Sequence, residues 1–367
     1  MVEKTTRRVL RLGWRAVLAT GLGAALLPAV RANAEIIQYS LMLGSPLNDQ
    51  NFRNSMHADY YTIVHTKKFS KFSYLVIPAP SCSNFMFPEF VKLANKLAAA
   101  NTSGMKLVYY SRPAGSDGWE SYSLQSPGCG AYGSTPSAFY ASLLGATGFS
   151  IPAVDLESLH FPSGVDVGSG ILNYLQTLAP IYQSTQPLWV ANTAYPEKFA
   201  TTTGAFFTFN GSGQITGNST LPSSLVSELG QVIWMDFHTM YAEINPSPRA
   251  FIDQRLQQVA AISGAKTSIQ IGLTCLNGEV SLQHVSDQQV MSTSVAEGET
   301  VMIDAVNLVG IRNFNVYTTL MNLKSPQWTS FYKLMNTNSA GFPTQPNVAF
   351  KPVNTTGTSY GYACLQE

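Results

Sequence analysis

Ile151-Pro152-Ala153-Val154-Asp155-Leu156-Glu157 is the stretch on which the reading of the fold turns. Four apolar residues in succession, without polar alternation, describe a strand buried on both faces, as in a parallel sheet. Two acids follow, two residues apart and therefore on one face of the strand. A carboxyl group at the end of a buried strand is costly unless it has a partner or a purpose.

Runs of the same kind recur on both sides of this one. Ile36–Leu43, Phe72–Pro80, Lys106–Ser111, Ile151–Glu157, Pro187–Thr193, Gln231–His238, Thr267–Thr274 and Gly310–Thr318 give eight candidate strands. Helical periods separate most of them: Pro88–Ala100, Pro136–Gly145, Gly168–Gln183, Pro222–Leu229, Pro248–Ile262 and Asp287–Val309, with Pro326–Met335 after the last. Eight strand-then-helix units in one chain make a closed (β/α)8 TIM barrel the economical topology. A doubly wound open sheet is the competitor, but Gly44-Ser45-Pro46 after the first strand is no Gly-rich phosphate turn. Two segments fit neither pattern cleanly. His57-Ala58-Asp59-Tyr60-Tyr61 reads as helix or strand, and Phe206–Phe209 before Asn210-Gly211 reads as a β-hairpin-like insertion after the fifth strand. The expected organisation is a leader over residues 1–34, a barrel domain over 35–336 and a wrapping C-terminal tail over 337–367.

The leader expectation comes from Lys4, Arg7, Arg8, Arg11 and Arg15, then the apolar run Ala16–Val30, then Ala32-Asn33-Ala34: the order of a secretory signal peptide. Thr6-Arg7-Arg8-Val9-Leu10 is similar to a twin-arginine signal, and the Sec route stays open because Leu10 and Arg11 depart from that pattern. The apolar run is short and Gly-rich, so no stable membrane insertion is expected after cleavage. The leader holds six of the 22 basic residues and one of the 21 acids, which leaves 16 against 20 and a net charge of −4. No basic stripe remains to track phosphates, which argues against a nucleic-acid partner. A secreted or periplasmic location follows, and a monomer is expected. Cys82, Cys129, Cys275 and Cys364 form no CxxC pair, so two disulfides are expected in an oxidising compartment. Three connectivities are open, of which Cys82 with Cys129 and Cys275 with Cys364 best suits the strand order.

In such a barrel the chemistry sits at the C-terminal strand ends. As a bare pattern, Asp155-x-Glu157 is at chance level, since 21 acids in 367 residues yield about one such triplet. Glu297-Gly298-Glu299, read as an exposed segment, is another. Position is what singles out Asp155 and Glu157 as catalytic candidates. The sixth strand adds Trp234, Asp236 and His238 on one face, followed by Tyr241, a grouping able to stack on a sugar and to pair with developing charge. Its plainer reading is a buried Asp-His hydrogen bond. Further substrate-binding candidates are Tyr110, Trp119, Trp189, Asn192, Gln270, Asn315 and Tyr317, each also readable as a satisfied polar core residue. The five histidines have no HxxH or HExxH spacing, so neither metal nor cofactor is expected.

These residues resemble (β/α)8-barrel glycoside hydrolases with Asp-x-Glu at the end of the fourth strand, the chitinase-like family 18 and the lysozyme-like family 25. Ile151–Glu157 and Pro187-Leu188-Trp189-Val190-Ala191-Asn192 look like family 25 segments. Met235-Asp236 with Tyr241 is loosely similar to the family 18 Met-x-Tyr-Asp. The acidic series that precedes the family 18 glutamate, and the first-strand aspartate of family 25, have no counterpart here. The resemblance implies that Glu157 is the general acid on the departing glycosidic oxygen, its pKa raised by an apolar wall and by Asp155. Asp155 or Asp236 would stabilise the oxocarbenium-like centre or an assisting acetamido group. The expected function is therefore a secreted glycoside hydrolase acting on a polysaccharide. The alternative is a non-catalytic carbohydrate-binding barrel. An esterase or amidase finds no support: the GxSxG match Gly357–Gly361 lies in the Asn-, Thr- and Gly-rich tail, without the strand-to-helix turn of a nucleophile elbow.

Overall fold

The computed structural model describes residues 36–43, 60–80, 87–111, 131–132, 136–156, 187–195, 207–209, 215–218, 223–237, 240, 248–273, 287–318, 328–337 and 341–344. Its strands are β1 (Gln38–Leu43), β2 (Phe72–Pro78), β3 (Lys106–Ser111), β4 (Phe149–Asp155), β5 (Trp189–Thr193), β6 (Phe207–Phe209), β7 (Ile215–Asn218), β8 (Gln231–Met235), β9 (Thr267–Leu273) and β10 (Asn313–Thr318). Its helices are α1 (Phe87–Ala100), α2 (Pro136–Ala146), α3 (Ser223–Glu228), α4 (Pro248–Ser263), α5 (Asp287–Val309) and α6 (Trp328–Met335). Residues 60–65 are also helical, which resolves the ambiguity at His57–Tyr61 for its described part.

Eight strands close into one barrel in the order β1-β10-β9-β8-β5-β4-β3-β2, every neighbouring pair parallel. With helices between most of the successive strands among the described residues, this is the (β/α)8 fold. β6 and β7 pair antiparallel outside the barrel. Several expected boundaries shift: the first strand begins at Gln38, the fourth at Phe149, the fifth at Trp189 and the last at Asn313, the second ends at Pro78, and the strand expected to reach His238 stops at Met235. The helix expected over Gly168–Gln183 lies outside the described residues.

Each strand sends alternate residues to opposite faces, and both faces are buried. Outward residues such as Leu75, Leu107, Val154, Val190, Val232, Trp234, Ile269 and Val316 join one large apolar cluster with the helices. Inward residues form a second, separate cluster that includes Val76, Val108, Ile151, Ala153, Ala191 and Ile233. The helices meet the outer cluster through one stripe. On α1 the buried positions are Phe87, Phe90, Leu93, Ala94 and Leu97, the three-and-four spacing of an amphipathic helix. Gly148 lies so close to Ala98 of α1 that a Cβ there would have no room.

α5 departs from the one-stripe rule, for Thr300 to Val306 are all buried. It packs on β9, α4 and α6, and Asn307 Nδ2 donates to the Pro343 carbonyl at 2.9 Å, so residues of the tail lie against it. Phe342 joins the core there. Glu299, expected in an exposed segment, is wholly buried and accepts a 2.6 Å hydrogen bond from Ser330 Oγ of α6. The helix was expected over this triplet, but not that its surroundings bury it on every side from Thr300 to Val306. Gly310, with φ of 72°, ends α5 in the left-handed conformation that glycine adopts cheaply, and its N–H returns to the Val306 carbonyl.

Candidate active site

The register fixes which side chains meet inside the barrel. Followed from strand to strand, the pairings climb by about eight residues in one circuit, so inward residues of alternate strands share a level. Near the base, Ser40, Val108, Trp189 and Ser268 form one level. Above it come Val76, Ala153, Ile233 and Asn315. Next are Met42, Tyr110, Ala191 and Gln270. At the C-terminal mouth stand Pro78, Asp155, Met235 and Tyr317, where Asp155 and Tyr317 are four strands apart and so face each other. Thr193 and Gly272 rim this level.

Asp155 is thus an inward carboxylate at the mouth, 1% exposed. Its place is set locally: Asp155 pairs with Ala191 of β5, and Leu156 N–H donates to the Ala191 carbonyl at 2.8 Å, which holds the end of β4 against β5. Beneath it, Tyr110 Oη lies 3.7 Å from Met235 Sδ, a weak hydrogen bond that turns the tyrosine hydroxyl into the lumen. Gln270 Nε2 reaches Met42 Sδ at 4.0 Å, and Asn315 Nδ2 donates to Ser40 Oγ at 3.0 Å. A small cavity of about 10 Å³, room for about one water, lies between β9 and α5, bordered by Phe237, Gln270, Ile271, Gly272, Glu297, Gly298 and Val301.

Three expected contacts leave the mouth. Trp234 faces the helices, fully buried, its Nε1 donating to Ser263 Oγ at 3.0 Å at the end of α4. The lumen positions of β8 belong to Ile233 and Met235. Asn192 shares the outward parity of Trp234, with which it pairs in register. Trp189 does point inward, but from the first residue of β5, where it closes the barrel floor edge-on against Tyr74, ring centres 4.8 Å apart. Gly230 lies against the Trp189 indole, leaving no space for a Cβ. The period of two separates the faces correctly, but with both faces apolar it does not say which one is inside.

Asp236 follows the last residue of β8 with φ of 70°, a left-handed backbone uncommon outside glycine but tolerated by Asp and Asn. That turn breaks the alternation, so Asp236 does not inherit the outward parity of Trp234. It is 7% exposed, and its carbonyl accepts from Met240 N–H at 3.1 Å, opening the turn after the strand. Glu157, His238, Tyr241, Trp119 and all four cysteines lie outside the described residues. Sequence reasoning missed Met42, Met235, Pro78 and Thr193 at and below the mouth. Counting back by twos from each strand end, once Ile233 and Met235 are known to face inward, would have found them.

Among the described residues, no three His, Cys, Asp or Glu side chains are placed to hold a metal ion, and no helix is long and apolar enough to cross a membrane.

No family model matches the chain, and no curated protein matches it in sequence. Solved structures do. A chitinase from Chromobacterium violaceum has 12% identity and a TM-score of 0.49, over 82% of this chain and 98% of that one. The spore cortex-lytic enzyme SleL of Bacillus cereus has 12% identity and a TM-score of 0.47, over 79% and 73%. A Rhizomucor miehei β-1,3-glucanosyltransferase, solved as an active-site mutant with laminaritriose, has 14% identity and a TM-score of 0.43, over 77% and 86%. Likeness at these identities concerns fold alone.

Proposed function

We propose that this barrel is an exported glycoside hydrolase that cleaves a polysaccharide by carboxylate acid-base catalysis. The observation that carries the reading is Asp155, a buried carboxylate turned into the mouth at the end of β4 and faced by Tyr317. Burial of an acid at that end of a barrel strand is costly for stability and suits chemistry. The alternation that turns Ile151, Ala153 and Asp155 inward would bring Glu157 to the same side two residues on. In this reading Glu157 protonates the departing glycosidic oxygen, while Asp155 offsets the positive charge that develops on the sugar ring. Asp236, beside Met235, is the second candidate for that charge.

The alternative of a purely binding barrel leaned on a platform of mouth aromatics. With Trp234 among the helices and Trp189 at the floor, that platform loses two of its members.

Export is part of the proposal, and so are the pairs Cys82 with Cys129 and Cys275 with Cys364. The test is release of new reducing ends from bacterial and plant polysaccharides by the leaderless protein and its Glu157→Gln variant. The parent is expected to release them, with a loss of about 10² to 10⁴ in the variant, the usual worth of a general acid. Equal release by both proteins would remove Glu157 from the acid role. Binding without release by the parent would overturn the enzyme reading.

A further inference from the structure

The interior of a (β/α)8 barrel is ordinarily filled by branched apolar side chains. One side of this lumen is not. β9 and β10 send Gln270 and Asn315 inward as register partners, and both are buried, at 7% and 0% exposure. Neither amide is well satisfied. The one hydrogen bond of the Gln270 side chain among the described residues runs to a thioether at 4.0 Å, the limit for sulfur. Asn315 commits Nδ2 to Ser40, while its buried Oδ1 has no partner among the described residues. Leaving such groups unpaired costs about 1–3 kcal/mol each, so their retention calls for a reason.

The geometry above Gln270 supplies one. Two residues on, at the rim of the same strand, β9 carries Gly272, so no side chain of that strand covers the amide. Tyr317 and Met235 stand on either side at the mouth level, with Asp155 across from Tyr317.

We propose that Gln270 is a specificity-determining contact: it hydrogen-bonds a hydroxyl that the bound sugar directs into the barrel, with Asn315 Oδ1 behind it as a further acceptor. The proposal rests on the carbohydrate reading above. An amide donates and accepts at once, as a hydroxyl does, so the two are matched partners. A ligand whose hydroxyl is missing there would leave the amide unpaired and would be rejected.

The test uses Gln270→Met, which keeps the length of the side chain and places a second thioether beside Met42. Binding of cellotriose, laminaritriose, mannotriose and chitotriose is measured by calorimetry, together with the thermal midpoint. Affinity for whichever trisaccharide the parent binds is expected to fall about tenfold, the worth of one or two neutral hydrogen bonds. The midpoint is expected to hold or rise, because an ill-satisfied buried amide has been removed. Gly272→Val, which covers the amide and leaves it intact, is expected to weaken binding as well. Unchanged affinity with a lowered midpoint in Gln270→Met would overturn the proposal, since the amide would then be structural. A parent that binds the trisaccharide while both variants bind it equally well removes this assignment alone. A parent that binds no trisaccharide and releases no reducing ends overturns the carbohydrate reading and this proposal together.

Discussion

Trp234 donates its one N–H to Ser263 Oγ, which in turn shares a 2.7 Å hydrogen bond with Thr267 and donates to the Val259 carbonyl at 3.0 Å. The indole therefore ties β8 to the end of α4 and to the start of β9. Replacing it by Phe removes that hydrogen bond and part of the packed volume, and the expected cost is about 2–3 kcal/mol in chemical denaturation. Folded Trp234→Phe protein should keep parental carbohydrate binding. A large loss of binding at unchanged stability would return Trp234 to the site. This residue also marks the limit of what could be read from the amino acids. Asp155 was legible because a lone acid after Ile151–Val154 has one reasonable direction to point. Trp234 was not, because Val232-Ile233-Trp234-Met235 is apolar on both faces and the choice between lumen and helix layer depends on the closure of the whole barrel. Asp236 was illegible for a different reason: its left-handed backbone is invisible to any rule based on period.

At the scale of elements, α4 and α5 are joined by a two-pronged ion pair. Arg249 Nε and Nη2 donate to the two oxygens of Asp304 at 2.8 and 2.7 Å. Asp253, one turn along α4 from Arg249, shares a hydrogen bond with Asp304. Its carboxyl is pushed up to about 6, first by burial, then by the Asp304 charge and that hydrogen bond, with Arg249 opposing. The folded chain thus holds this proton more tightly than the unfolded chain, whose value is near 3.8. The contribution to stability is full below pH 3.8 and is lost as pH rises through about 6. Asn at this position keeps a donor toward Asp304 and cannot ionise. Asp253→Asn is therefore expected to match the parent near pH 4 and to melt roughly 1 to 3 °C higher near pH 8, a modest gain because the group is only half-buried. Thermal scans across that range check it, and a variant that melts lower than the parent at pH 8 would contradict it. The two helices flank β9, the strand that carries Gln270 and Gly272. Helix existence was plain from spacing along the chain, whereas full burial of Glu299 and Asp304 was not. It follows from what α5 packs against: Ser330 of α6 bonds Glu299, and Arg249 of α4 bonds Asp304.

At the scale of the molecule, eight short apolar runs sufficed to imply the barrel, because parallel strands joined by helices have few ways to bury both faces. The mouth was only half legible. Strand ends named Asp155, Gln270, Asn315 and Tyr317 as inward or mouth-facing, yet their levels depend on stagger, which is a property of the closed sheet and of no single strand. That stagger sets Asp155 opposite Tyr317 and puts Gln270 just beneath them, under a glycine. The central claim is that Asp155 faces a reacting sugar. Its most direct measurement is reducing-end release from a polysaccharide panel by the parent and by Asp155→Asn, with unfolding curves taken on both. Release by the parent is expected, with a loss of about 10² or more in a variant that still folds cooperatively. Undiminished release by folded Asp155→Asn would contradict it.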